Sequence, residues 1–214
     1  MIKISPSILN ADFLNLKECL DSLKNADVDM IHLDVMDGDF VPNITFGPDI
    51  IRSIRKNTPL TLDTHLMISK PHRYIKEFAE CSDILGFHYE AESDVMGTID
   101  CIKDFNRRCC LAIKPKTEVE EVLKYLPYID MVLVMSVEPG FGGQKFMDSS
   151  LQKIKALREY EFHKGLKYDI EVDGGINKET SKMVIEAGAN VLVMGSYLMS
   201  GDIKQKVNEI KNMK

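Results

Sequence analysis

Eight short apolar runs alternate with eight longer segments of helical period along the whole chain. The runs are KISPSI (3–8), DMIHLDV (29–35), LTLDTHLM (60–67), DILGFH (83–88), CCLAIK (109–114), MVLVMS (131–136), YDIEVD (168–173) and NVLVMG (190–195). Helical patterns fall near 12–25, 47–56, 71–80, 93–106, 117–124, 147–163, 177–187 and 201–212. Strands rich in Val, Ile and Leu on both faces, each followed by a helix, call for a parallel sheet covered by helices. Eight such units is the number that closes a barrel, and a compact barrel of this kind takes about 200–250 residues. At 214 residues the expected fold is one α/β domain over residues 1–214, a (β/α)8 TIM barrel. The competing arrangement is a doubly wound open sheet. Several helices carry start signals: Asp12 before a Leu14/Leu16/Leu20/Leu23 stripe, Pro71 after Lys70, and Thr117 with Glu120 as a capping box.

Composition excludes several classes of function. A net charge of −6 argues against nucleic acid or an anionic membrane as partner. The start MIKIS lacks the apolar region of a secretory signal, and no apolar run approaches the roughly 18 residues of a membrane span. A cytoplasmic protein is expected, and the five cysteines, without CxxC spacing, read as reduced thiols acting as small hydrophobes. Any anionic ligand must then be held by local geometry.

The stretch HLDVMDGDFVPN (32–43) places charged groups on what otherwise reads as a buried strand. In a closed parallel barrel alternate side chains point inward, and function gathers at the carboxyl ends of the strands. His32 and Asp34 share the inward face of strand 2, Asp63 and His65 that of strand 3, and strand 7 ends at Asp173. A lone strand His is usually a satisfied core residue, and a lone Asp after a strand often caps a helix. Four such residues at one mouth are harder to dismiss, because buried charges are costly unless paired or bound to metal. His32, Asp34, His65 and Asp173 therefore form a candidate site for one divalent ion, with Zn, Fe, Mn and Co equally compatible with mixed N and O donors. Asp63 either orients His65 or serves structurally at the barrel floor.

Glycines form the second cluster: VEPGFGGQ (137–144) after strand 6, DGGI (173–176) after strand 7, and Gly195–Ser196 after strand 8. Any one pair is an ordinary turn signal. Three consecutive loops on the expected side point to backbone N–H groups approaching a phosphate. Met36 and Met67 continue the inward parity, and Met135 ends strand 6. In a chain with twelve methionines, core filling is the plainer reading.

SPSILNAD (5–12), HLDVMDGDFVPN (32–43), DTHLM (63–67), VMSVEPGFGGQKF (134–146) and VDGGI (172–176) resemble, in order and across nearly the whole chain, the ribulose-phosphate 3-epimerase family. The resemblance implies a barrel of the ribulose-phosphate binding type. It implies an isomerase, an epimerase acting on carbohydrate phosphates, that interconverts D-ribulose 5-phosphate and D-xylulose 5-phosphate in the pentose phosphate pathway. It also implies a divalent metal on His32, Asp34, His65 and Asp173, with Asp34 and Asp173 as the acid/base pair. Ser7, His65, the three methionines and the loop residues Gly140, Phe141, Gly142, Gly143, Gly174, Gly175, Gly195 and Ser196 then contact a small sugar phosphate. A homo-oligomer is expected.

The chain departs from the family pattern at Lys114–Pro115, where Asn-Pro is usual, and at Tyr197, where a small residue is common. Lys114 reads either as solvated or as leaning over an anionic site, and His88 and Glu90 in FHYEA match a recurrent pattern without a role. One alternative is D-allulose 6-phosphate 3-epimerase, which GLKYDIEV (165–172) and LDTHLMISKP (62–71) resemble, although GFGG and VDGG favour the pentulose enzymes. Another is a phosphate-binding decarboxylase of the orotidylate type, which uses Asp-x-Lys-x-x-Asp; the corresponding strand here reads DVMD, without the lysine. A non-catalytic barrel has no need of both acids.

Overall fold

The computed structural model describes residues 1–92 and 94–213; Ser93, the expected first residue of the fourth helical segment, and Lys214 lie outside the described residues. Eight parallel strands form one sheet in the order β1-β8-β7-β6-β5-β4-β3-β2. They are β1 (Lys3–Pro6), β2 (Met30–Met36), β3 (Thr61–Met67), β4 (Ile84–His88), β5 (Arg108–Ile113), β6 (Met131–Met135), β7 (Asp169–Asp173) and β8 (Val191–Met194). Each lies within a residue or two of its expected place. Eight inward faces fill the small bore of such a barrel.

The barrel is nearly closed. The outer strands β1 and β2 meet through a single bridge, Ser7 with His32, and a short seam of bonds. Below the bridge, the Asp29 N–H donates to the Ile4 carbonyl at 3.1 Å, and the Asp29 carboxylate accepts from the Ile4 N–H at 2.8 Å. Lys211 reaches the same carboxylate at 2.9 Å. A side chain thus supplies an acceptor that a ladder would otherwise provide.

The helices are α1 (Leu16–Asn25), α2 (Pro48–Asn57), α3 (Ile75–Ala79), α4 (Val95–Asp104), α5 (Ser150–Lys164), α6 (Lys178–Ala187), α7 (Ser196–Met199) and α8 (Ile203–Lys211). Their apolar faces pack on the outside of the barrel in one continuous core that includes Leu23, Ile54, Ile99, Leu157, Val184 and Val207. A smaller cluster, including Met30, Ile84, Cys110, Met131, Leu133 and Val191, fills the barrel itself. Beneath it, the Asp169 carboxylate accepts from both Lys3 and Arg108 at 2.8 Å.

Two expectations are corrected. No α-helix forms at 117–124; the chain makes 3-10 turns at Val119–Glu121 and Leu126–Tyr128. The hydroxyl of Thr117 donates to Glu90, so it does not cap; Glu118 and Glu121 make the reciprocal box instead. Pro127 only keeps a helix from running on past the segment, since proline has no N–H to continue one. In the first helical segment Asp12 caps a 3-10 turn, accepting from the Leu14 N–H at 3.0 Å, and Leu14 stands in solvent rather than in the apolar stripe.

The seam predicts a measurable cost. Asp29→Ala leaves the fully buried Ile4 N–H without its acceptor, and an unsatisfied buried donor costs about 1–3 kcal/mol. The urea midpoint is expected to fall accordingly with unchanged slope; a change below about 0.5 kcal/mol, the ordinary surface range, means the seam does not depend on this bond.

Candidate active site

The register of β2 on β3 builds the centre of the site. It sets His32 opposite Asp63 and Asp34 opposite His65, all four pointing into the barrel. His32 Nδ1 lies 2.7 Å from Asp63 Oδ2, and its Nε2 lies 3.3 Å from His65 Nδ1. Asp34 Oδ1 is 3.4 Å from each of those facing nitrogens. Asp173 arrives from β7, and one ligand atom from each of His32, Asp34, His65 and Asp173 falls within a 4.8 Å spread. The four candidate ligands are therefore brought together. Asp63, by contrast, orients His32 and not His65, because residues level with one another on neighbouring strands meet more closely than residues two apart on one strand.

The donor set fits a divalent ion. With Nδ1 of His32 committed to Asp63, its Nε2 faces the nitrogen of His65 and the carboxylate of Asp34, an arrangement that needs a positive charge at its centre. Without a metal a proton serves: burial alone would lower His32, but Asp34 and Asp63 outweigh it and hold the ring well above the usual imidazole range. Two nitrogens and two carboxylates, with no thiolate, match a first-row transition ion.

The two acids differ in proton affinity. Burial opposes ionisation of Asp34, yet His32 and then His65 outweigh it and keep that carboxyl well below the usual range. Ser7 Oγ adds a donated bond to Asp34 Oδ2 at 2.6 Å. Burial, and then the charge of Asp34, raise Asp173 to about 6. Carboxyls pushed apart in this way divide acid and base roles between them.

Above these groups opens a cavity of about 570 Å3. Its lining includes Ser7, Asp34, Asp173, Met36, Met67 and Met135, together with Gly140 to Gly143, Gly174, Gly175, Gly195 and Ser196. Met36 and Met67 pack with Val41 as a separate apolar patch at its edge. Tyr197 also lines it. His32 and His65 are not at its wall and are almost fully buried behind it, His65 level with Asp34 and His32 deeper on the same strand as Asp34. The loop after β6 is braced from both sides: Asn43 Nδ2 donates to the Gly140 carbonyl at 2.8 Å, and Gln144 Nε2 donates to the Glu138 and Phe141 carbonyls.

The glycines after β7 have a packing reason besides anion approach. Gly174 has φ +120° and Gly175 φ +63°, backbone that side chains disfavour. A Cβ on Gly174 would lie 2.5 Å from a Val137 methyl, and one on Gly175 2.5 Å from the Phe146 backbone nitrogen.

Four residues, Glu171, His88, Glu90 and Lys114, have no site role in the sequence reading and find their places here. Glu171 is fully buried beside His32, its Oε1 3.7 Å from His32 Nδ1, and burial followed by the charge of Asp63 pushes its carboxyl well above the usual range. Its signal was parity, two residues before Asp173 on the same strand. His88, fully buried at the end of β4, lies 2.9 Å from His65 through their Nε2 atoms. Burial lowers it to about 4 against the pull of Glu90, whose carboxylate is 3.2 Å away. Burial works against ionisation of Glu90 too, but bonds from His88, Thr117 and the Lys114 amide hold it at about 2. Lys114 neither floats in solvent nor lines the cavity: its Nζ lies 3.8 Å over the Phe40 ring, which stacks on His88.

Residues 3–199 match the model of the Ribulose-phosphate 3 epimerase family. The chain belongs to this family. It is 48% identical to the ribulose-phosphate 3-epimerase of Bacillus subtilis (strain 168), covering all of both chains. It is 42% identical to that of Synechocystis sp., with 100% of this chain and 94% of the relative covered. The chloroplastic ribulose-5-phosphate-3-epimerase of Arabidopsis thaliana is also 42% identical over 100% of this chain and 77% of its own. The chain is accordingly an isomerase-class enzyme, an epimerase. The barrel also superposes on KGPDC from Streptococcus mutans with TM-score 0.76, covering 100% and 99% of the two chains, and on 3-hexulose-6-phosphate synthase from Salmonella typhimurium with 0.75, covering 99% and 98%. At 15% and 17% identity these two share the fold alone. No helix among the described residues is long and apolar enough to cross a membrane.

Gly175→Ala forces an alanine into left-handed backbone and against the 144–146 chain, a strain of about 1–3 kcal/mol. The epimerase is expected to lose that much stability with no ligand added, seen as a lower unfolding midpoint. An unchanged midpoint would mean that the loop yields and that the glycine serves anion approach alone.

Proposed function

We propose that the chain is a metal-dependent ribulose-phosphate 3-epimerase interconverting D-ribulose 5-phosphate and D-xylulose 5-phosphate, in the pentose phosphate pathway and the cytoplasm. The observation that carries the chemistry is the pair of carboxyls, Asp34 and Asp173, on strands that face each other across the mouth with β1 and β8 between them. Asp34 holds its proton least and Asp173 most, so Asp34 is the readier base and Asp173 the readier acid.

Inverting carbon 3 beside a ketone at carbon 2 takes two proton transfers on opposite faces. The carboxylate of Asp34 removes the proton at carbon 3, and the bonding pair moves into a carbon 2–carbon 3 double bond, giving an enediolate. The carboxylic acid of Asp173 then delivers its proton to carbon 3 from the other face, and the ketone re-forms. In the reverse direction the two acids exchange roles. Positioned acid–base groups of this kind contribute about 10²–10⁴-fold. His32, Asp34, His65 and Asp173 would hold one divalent ion (Zn, Fe, Mn or Co), which as a Lewis acid lowers the cost of negative charge on the substrate oxygens. Ser7 fixes the Asp34 carboxylate through its 2.6 Å bond. Met36, Met67 and Met135 line the reacting end with apolar surface, which limits access of water to the enediolate.

The braced loop Gly140–Gly143 and the turns at Gly174–Gly175 and Gly195–Ser196 supply backbone N–H groups for the phosphate of the sugar, consistent with the acidic net charge. The distance from those loops to the acids sets the chain length accepted. We expect kcat/KM to be higher for ribulose 5-phosphate than for allulose 6-phosphate, measured with the same metal-loaded protein. The opposite ranking would transfer the assignment to the hexulose enzyme and leave the acid/base pair standing. Decarboxylation of the orotidylate type has little support, since Met36 stands where that chemistry places its lysine.

In deuterated water, product isolated early should carry deuterium at carbon 3, because the proton delivered is not the one removed. Asp173→Asn keeps the shape of the side chain and removes its proton, so epimerisation is expected to fall by about 10²-fold or more, the scale of a lost acid/base group. Asp34 in that variant should still exchange the carbon 3 proton of one epimer. Early product that retains the substrate's own hydrogen, or near-normal turnover by the variant, excludes two opposed bases.

A further inference from the structure

Glu90, His88 and His65 form a connected line from the rim of the barrel to the candidate metal site. The Glu90 side chain is 21% exposed, while those of His88 and His65 are 0% and 1% exposed. Along the line, Glu90 Oε1 accepts from the Lys114 N–H at 2.8 Å and from the Thr117 hydroxyl, while Oε2 faces His88 Nδ1 at 3.2 Å. His88 Nε2 faces His65 Nε2 at 2.9 Å, and His65 Nδ1 faces Asp34 and His32.

We propose that Glu90 and His88 are positioning residues that fix the tautomer of His65 and so make its Nδ1 available to a metal. The inference rests on reading His32, Asp34, His65 and Asp173 as a metal site. Protons can be placed one by one along the line. A carboxylate only accepts, so with Glu90 facing its Nδ1 a His88 ring that holds one proton carries it there. His88 Nε2 is then a bare acceptor, and the 2.9 Å contact requires the proton of His65 on its own Nε2. That leaves a bare lone pair on His65 Nδ1, the atom in the metal set. Asp63 does the same for His32 in one step, by accepting from Nδ1 and leaving Nε2 bare. The two histidines thus present opposite ring nitrogens to one point, each set by an acid outside the ligand set. Partners of this kind are typically worth about 10–100-fold in metal affinity.

Glu90→Gln tests the line with almost no change of shape. The Lys114 amide and the Thr117 hydroxyl still need an acceptor, so the new carboxamide oxygen stays with them and its NH2 turns toward His88. Two donors then meet unless His88 takes its other tautomer. That change passes to His65 and puts a proton on Nδ1, where the metal must bind.

The closing experiment uses the full chain stripped of metal, with Co2+ as probe. Affinity is read by competition with a chelator, and histidine tautomers by nitrogen-15 NMR. In the wild type, His65 is expected to carry its proton on Nε2 and His88 on Nδ1, and Glu90→Gln is expected to bind Co2+ at least about 10-fold more weakly. The metal-stripped variant should unfold at the wild-type temperature, separating a tautomer effect from a folding defect. Co2+ affinity of Glu90→Gln within twofold of wild type would overturn the proposal. A wild-type His65 protonated on Nδ1 would overturn it as well, and that measurement needs no variant to fold. If the wild type takes up no Co2+, the metal reading itself falls, while the tautomers still decide whether Glu90 and His88 set the state of His65.

Discussion

The parallel register between β2 and β3 is the constraint on which the site depends. With His32 opposite Asp63 and Asp34 opposite His65, each imidazole lies beside a carboxylate on both the strand axis and the ladder. A slip of one residue by either strand would turn its two side chains of this set to the helix face, where the core is apolar and no partner waits. Buried charge is tolerated only when paired, so the same arrangement that makes the site also fixes the pairing of the strands.

From that layer the barrel is organised by depth. The floor carries Asp169 between Lys3 and Arg108, the middle holds the apolar cluster with His32, Asp63 and Glu171, and the mouth presents Asp34, Asp173, the methionines and the glycine loops. Above the apolar cluster, polarity rises toward the mouth where the cavity opens. The mouth opens into the cavity, and the buried layer beneath strengthens the charge interactions that orient the acids. The contrast between Asp34 and Asp173 follows from this gradient. Asp34 sits against two imidazoles and a serine hydroxyl, whereas Asp173 answers mainly to burial and to the charge of Asp34 itself.

What could be read from the chain varied by element for physical reasons. The strands were legible because apolar runs of this length, repeated eight times, admit few alternatives. The segment after β5 was misread as a helix, because Thr117 looks like a cap in isolation and is in fact claimed by Glu90 from the neighbouring loop. Parity leaves Asp63 either orienting His65 or structural at the barrel floor, and the register sets it against His32 instead. Strand periodicity tells which face a residue occupies, and only the register tells which residue of the next strand stands level with it. Glu171 shares the parity of Asp173 and could have been found by the same rule, but nothing in EVD distinguishes a buried acid from a solvated one.

The sequence by itself determined the alternation of strand and helix, the inward parity of His32, Asp34, His65 and Asp173, and the glycine loops at one end of the barrel. Each of these is a local property, set by spacing along the chain and by residue type. Tertiary structure alone decided that Asp63 serves His32, that burial raises the Glu171 carboxyl, that Asp34 and Asp173 differ in proton affinity, and that His88 links Glu90 to His65. These depend on distances between strands far apart in the chain. A proton's position is set by the charges and acceptors within a few ångströms, and linear spacing carries no record of them.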